Sequence, residues 1–286
     1  IVVMNKLDLV REQQNIDENE INSKSNTIWV SSTTKENIYE LKEMIAKQAP
    51  TDEPKFKIVG DLLNPSDFVV LVVPIDKAAP KGRLILPQQQ TIRDILEANA
   101  NAIVVKENEL KNTLENLGKK PKLVITDSQV FSKVSTDTPK DILLTSFSIL
   151  FARYKGDLKE TVKGVKTLEN LKDNDTILIS EGCTHHRQCD DIGTVKIPKW
   201  ITKYTNKKIN FEFTSGTEFP YDLSKYKMII HCGGCTLNER EMKYRVKCAQ
   251  DQNIPFTNYG ILIAYTQGIL KRTLEPFSDI SCLLEE

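Results

Sequence analysis

Histidine is scarce in this chain: three among 286 residues, beside six cysteines. Charge of one sign is absent too, since 39 Lys+Arg balance 39 Asp+Glu. No long basic block and no interleaving of basic and aromatic residues occurs. That argues against nucleic acid as a partner, because phosphate binding needs clustered positive charge. No apolar run approaches the ~18 residues of a membrane helix, so no membrane association is expected. No signal peptide opens the chain, and the cysteines lack the regular spacing of a disulfide framework. A cytoplasmic location is the resulting expectation. With 40% hydrophobic residues the chain can build real cores, and its length suggests two to three domains.

The few histidines are not scattered. His231 opens His231-Cys232-Gly233-Gly234-Cys235, and His185 and His186 lie in Gly182-Cys183-Thr184-His185-His186. Forty-five residues separate His185 from His231, and almost no His or Cys lies elsewhere. The two clusters read as halves of one metal site. Cys248 and Cys282 read as ordinary buried thiols.

The front of the chain carries a second signal. An apolar strand, Ile1 to Met4, runs into Asn5-Lys6-Leu7-Asp8. In GTPases such a loop reads guanine. Its Asp carboxylate accepts from the N1 and N2 hydrogens of the base, its Lys stem packs along the ring, and its Asn ties the loop to its neighbours. A second strand over 27–30 leads to Ser31-Ser32-Thr33, the place of a GTPase loop that contacts the base through its backbone. A helix over 36–47 follows, with Ile38, Leu41 and Ile45 on one face. What a GTPase also needs, a G-x-x-x-x-G-K-[ST] phosphate loop with its Mg-binding partners, occurs nowhere in the 286 residues. Residues 1–50 are therefore expected to be the back portion of a P-loop GTPase domain. Residues 49–60, with two prolines and mixed charge, read as a linker.

Two further α/β units are expected, at 58–160 and 161–286. In the first, the run Phe68–Val73 suits a strand buried on both faces of a parallel sheet. Strands over 102–105 and 123–125 alternate with helices over 88–98 (Ile92, Ile95 and Leu96 inward), 107–117 and 142–154. The last of these helices, with Leu143, Leu144, Phe147, Leu150 and Phe151, suits either core or a dimer face. No nucleophile–base pair occurs here, so no catalytic residue is assigned. The second unit alternates strands over 176–179, 209–213, 228–230 and 255–257 with helices near 198–204, 238–250 and 261–270. The fold class is α/β: a remnant of a P-loop GTPase domain and two wound, mostly parallel units.

Each Cys/His cluster follows a strand, and ligands in open α/β sheets bind beyond the carboxyl ends of strands. The two loops can converge if their strands are neighbours. Gly233 and Gly234 let the backbone approach a bulky centre closely. The helix beginning near Asn238 would aim N–H groups and its positive end toward thiolates. Three cysteines with one or two histidines suit zinc or an iron–sulfur cluster with one non-thiolate position. The Cys-x-His half converges poorly on a single small ion, which favours the wider cluster, while inert burial stays open. Cys189 is a candidate extra ligand, and His186 reads as solvent-facing or adjacent to the ligands.

The combination of a GTPase tail, an α/β unit and Cys183-x-His185-x(45)-His231-Cys232-x-x-Cys235 closely resembles the HydF family of [FeFe]-hydrogenase maturation GTPases. The resemblance spans the whole chain. It implies GTPase, dimerisation and iron–sulfur domains in that order, and a homodimer formed through the middle one. It implies a [4Fe–4S] cluster on Cys183, Cys232 and Cys235 with an exchangeable fourth position, which His185 or His231 would tune or transiently occupy. It implies GTP, with Mg2+, at a site that includes Asn5, Lys6, Asp8, Ser31 and Ser32. It further implies a scaffold role: accepting a diiron precursor made with the maturases HydE and HydG, and delivering it to the hydrogenase HydA. The alternative from the residues alone is a GTPase-linked regulator with a structural zinc site. Without a phosphate loop, these 286 residues are expected not to hydrolyse GTP on their own. Phosphate release at a rate above the protein-free control would refute that expectation.

Overall fold

The computed structural model describes residues 1–13, 26–48, 57–75, 84–182 and 191–284. They form two compact units that divide between Lys55 and Phe56. All strand pairings among the described residues are parallel.

In the first unit, β1 (Val2–Met4) pairs with β2 (Thr27–Trp29), Val3 opposite Ile28. Helices Leu7–Gln13 and Ile38–Gln48 follow the two strands. The inward row of the second helix is Ile38, Leu41 and Met44, each half-buried; Ile45, expected on that face, is 53% exposed.

The second unit holds two four-stranded sheets. The middle sheet has the order β4-β3-β5-β6, with β3 Phe68–Val72, β4 Asn101–Val105, β5 Leu123–Thr126 and β6 Leu143–Ser146. The C-terminal sheet has the order β10-β9-β7-β8, with β7 Thr176–Glu181, β8 Asn210–Ser215, β9 Met228–His231 and β10 Phe256–Asn258. Both sheets are covered on both faces, which explains their continuous apolar runs. Val70, Val72, Val124 and Leu144 pack against helix residues Leu110 and Val134 on one side of the middle sheet. Leu178 and Ile229 pack with Val246, Ala249 and Phe256 on one side of the C-terminal sheet. The opposite faces of the two sheets share a single apolar core, in which Leu71, Ile125, Ile179 and Ile230 join helices Phe147–Lys155 and Tyr259–Thr266.

Three further expectations are corrected. The stretch 142–154 is not one helix. Its first residues form β6, with Leu144 opposite Val124. The helix starts at Phe147 because the Ser146 side chain accepts from the Ile149 N–H, an N-cap that ends the strand. Leu144, Phe147, Leu150 and Phe151 are all core residues of this unit. In helix Leu86–Glu97 the inward row is Gln88, Thr91 and Ile95, while Leu96 is 56% exposed. Thr91 can face inward because its hydroxyl donates to the Pro87 carbonyl (2.8 Å). The expected linker ends early: Ile58 and Val59 are buried, and the Val59 and Gly60 N–H groups both donate to Asp94 Oδ2 at 2.7 Å. Residues 49–56 of that linker lie outside the described residues. Helices Phe131–Asp137 and Leu158–Val165 were not anticipated.

Glycine lets the segments of this unit approach closely. Gly164 lies against β10, where a Cβ would sit 2.1 Å from the Phe256 carbonyl oxygen. Gly260 lies against Ser148, whose Cβ would be 2.2 Å away. Arg272 reaches across to the carbonyls of Ser135, Thr138 and Pro139. Gly164→Ala is expected to destabilise the unit by about 2 kcal/mol or more, since overpacking against a backbone outweighs the ~1 kcal/mol helix-propensity gain. Urea unfolding of the two proteins reads the difference; an equally or more stable variant would contradict the packing described.

Candidate metal centre

The C-terminal sheet reverses its strand order between β7 and β9. From β7 the chain passes to β8 on one side, and from β9 to β10 on the other. A crevice opens beyond the carboxyl ends of strands at such a switch point. The two Cys/His loops leave from these adjacent strands, Ser180 opposite His231. Cys183, His185, His186 and Cys189 lie outside the described residues, so the first loop is described only to Gly182. Among the described residues no three His, Cys, Asp or Glu side chains converge as a metal site.

The described parts of the loops are stitched together. The Cys232 N–H extends the pairing by donating to the Ser180 carbonyl (2.9 Å). The Cys232 sulfur then accepts two backbone N–H groups, from Gly182 at 3.0 Å and Gly234 at 3.4 Å. Such donors favour the thiolate over the thiol. The Thr236 hydroxyl donates back to the Gly182 carbonyl (3.0 Å). Each glycine has its own reason. Gly182 abuts Leu237, whose Cδ1 would lie 2.7 Å from a Cβ. Gly234 has φ +59° and lies against Met242, whose sulfur would be 2.5 Å from a Cβ. Gly233 is exposed and faces open space, with nothing within 4 Å of a Cβ. Of the three glycines it is the one beside which the described residues leave open space.

His231 is the last residue of β9 and is fully buried. Its Nε2 lies 3.1 Å from Arg245 Nη1 and its Nδ1 2.7 Å from the Cys232 carbonyl. A guanidinium can only donate. Nε2 is therefore the acceptor, and Nδ1–H donates to Cys232. Burial chiefly pushes the imidazole down to about 4; its hydrogen bond to Cys232 opposes this, and the Arg245 charge adds to it. The ring stacks on Phe256 at 5.8 Å between centroids. Both ring nitrogens are thus engaged away from the sulfurs in this structure. Arg245, also fully buried, is held by Glu241 (2.8 Å), the Gly216 carbonyl (2.8 Å) and the Phe219 ring (5.2 Å).

Glu181 and Tyr259 form a second buried pair beneath the loops. The Tyr259 hydroxyl donates to Glu181 Oε1 (3.3 Å), and Gly193 makes room for both. Burial first, then the negative charges of Glu181 and Cys232, raises the Tyr259 pKa and keeps it a donor. Sequence reasoning missed Arg245, Glu181, Tyr259 and Lys155. The available signals were a carboxylate ending an apolar strand and a lysine ending an apolar helix. Helix Glu239–Asp251 begins where expected: Asn238 caps its Glu241 N–H, Glu239 and Glu241 occupy its first turn, and Met242 and Arg245 contact the site. Cys248 is half-buried and Cys282 is exposed rather than buried.

In the first unit, two of the residues expected to serve a base-reading loop, Asn5 and Ser32, are in contact. Asn5 Oδ1 accepts from the Lys6 N–H (2.8 Å) and the Ser32 N–H (3.2 Å), and Asn5 Nδ2 donates to the Ser32 hydroxyl (3.3 Å). Lys6 adopts φ +68°, and Asp8 lies in the first turn of helix Leu7–Gln13. The buried Ser31 hydroxyl accepts from the Thr34 N–H (3.1 Å).

Comparison with protein-family models gives two matches. Residues 58–156 match the hydrogen maturase F dimerization domain. Residues 159–276 match the hydrogen maturase F tetramerization domain. Compared with curated proteins, the chain finds no significant match.

The neutral, buried His231 links stability to pH. An unfolded histidine takes its proton near 6.5, the folded one only near 4. Its contribution is complete above about pH 6.5 and is lost as pH falls toward about 4, by roughly 3 kcal/mol in total. Unfolding of the metal-free protein is therefore expected to become easier over this range, and His231→Gln to flatten the dependence. Parallel pH profiles for the two proteins would overturn the assignment.

Proposed function

The chain belongs to the hydrogen maturase F (HydF) family and so has a role in hydrogenase maturation; on that premise we propose that it is the carrier in this process. Its cargo would be a diiron precursor, received from HydE and HydG and delivered to HydA. Cys183, Cys232 and Cys235 would hold a resident [4Fe–4S] cluster with three thiolates. The observation that carries this reading is the Cys232 sulfur at the β7/β9 switch point, hydrogen-bonded from both loops and flanked by the open side of Gly233. The donor set fits a cluster: soft thiolates, N–H donors to sulfur, and a turn with space beside it.

When bound, such a cluster supplies one iron without a protein thiolate, a position open to exchange. The chain's own residues do the rest. Gly182 and Gly234 orient the Cys232 sulfur through their N–H groups. His231, fixed by Arg245, holds the Cys232 carbonyl and so sets where that cysteine leaves β9. This makes His231 a positioning residue and leaves His185 as the histidine nearer to a ligand role. Self-association accompanies the carrier role, since the chain carries family segments for both dimerisation and tetramerisation. No helix among the described residues is long and apolar enough to cross a membrane. The Asn5–Ser32 junction supports guanine recognition by Asn5, Lys6 and Asp8, with GTP and Mg2+ completing the site.

Anaerobic reconstitution with iron and sulfide tests the reading. The protein is expected to turn brown, to bind four irons and four sulfides per chain as such a cluster requires, and to give an electron-paramagnetic signal on reduction. Cys232→Ala and Cys235→Ala are each expected to lose most of that iron. A colourless protein with one zinc per chain would instead establish the structural-zinc alternative.

A further inference from the structure

Lys155 ends helix Phe147–Lys155 in the segment matched to the dimerization domain, yet its ammonium serves the other segment. The side chain is buried, with 8% of the residue exposed. Its Nζ donates to three carbonyls of the cysteine turn: Leu237 at 3.0 Å, Cys235 at 3.3 Å and Gly234 at 3.5 Å. The Phe151 ring lies 5.5 Å away and completes the niche. Among the described residues its hydrogen-bond partners are all carbonyls of this turn. Three carbonyl dipoles directed at one buried point repel one another unless a cation sits there, and a buried ammonium is costly unless such acceptors surround it.

We infer that Lys155 is the positioning residue of the cysteine turn: it locks residues 234–237 from the neighbouring segment and sets a positive charge against the backbone of Cys235. Burial lowers the Lys155 pKa, and the negative charge of Cys235 opposes that shift. The three carbonyls of the turn are the acceptors that a buried ammonium needs. A positive charge next to an iron–sulfur centre favours the reduced, more negative state and raises its reduction potential. This electrostatic half rests on the cluster reading given above; the mechanical half does not.

The test pairs Lys155→Met, which keeps length and removes charge, with Lys155→Arg, which keeps charge. In metal-free protein, Lys155→Met is expected to speed amide exchange in 233–237 at least tenfold, with Met228–Ile230 of β9 unchanged. In reconstituted protein, titration followed by electron paramagnetic resonance is expected to show a lower midpoint potential for Lys155→Met and a near-native one for Lys155→Arg. Unchanged exchange in 233–237 overturns the lock. Faster exchange with an unchanged potential overturns the electrostatic role. If Lys155→Met does not fold, Lys155→Arg decides: a native circular-dichroism spectrum with a displaced potential overturns the proposal, and a near-native potential supports it. If the native protein takes up no cluster, the cluster reading fails, while the exchange measurement still decides the lock.

Discussion

The pairing of Ser180 with His231 is the constraint on which the described site depends. It makes β7 and β9 neighbours and puts their carboxyl ends side by side. Because the chain leaves them toward opposite edges of the sheet, nothing in the sheet itself closes the space between. The backbone then continues the pairing for one more step, from Cys232 N–H to Ser180 carbonyl. After that step the second loop, over residues 232–238, has no helix or strand of its own. Hydrogen bonds from Gly182 and Thr236 take over, and side chains from two helices fix the rest.

Those side chains are polar and buried, and each is fully engaged. Arg245 orients His231, His231 holds the Cys232 carbonyl, and Lys155 gathers the carbonyls beyond Gly233. A buried ion that lost its partners would cost several kcal/mol. The arrangement therefore admits few alternatives, and the rigidity of the turn comes from charge and dipole rather than from packing alone. Tyr259 and Glu181 add a neutral-donor-to-carboxylate contact on the far side.

Much of this was legible in the chain, for identifiable reasons. The strands of both sheets are apolar runs because both faces are covered, and β3, β5, β7 and β9 all emerged from that pattern. The Cys232–Cys235 turn stood out because histidine and cysteine are scarce elsewhere. Asn5 and Ser32 each stood out as members of loops that resemble those of a GTPase, and their side chains meet, a contact that spacing alone does not give. What failed was the join at Ser146. A doubly buried strand followed at once by a buried helix keeps a helix-like apolar spacing through the boundary, and only the cap marks it. Lys155 left only a faint signal, a lysine ending an apolar helix, and Arg245 left none, because a sequence shows a lysine or an arginine as surface charge. Only the fold reveals that three carbonyls, or an imidazole, wait for it. Leu96 failed for the converse reason: Thr91, satisfied by its own helix, took the inward place.

The shared core has a consequence for the exchange of its parts. Two segments that family models treat as separate modules meet through a serine beneath Gly260, an arginine spanning three carbonyls and a lysine entering the cysteine turn. Such a seam is matched on both sides. A chimera cut between residues 156 and 159 would have to supply a matching partner at each of these contacts, so exchanging either half alone would leave the seam mismatched even though each half matches a family domain of its own.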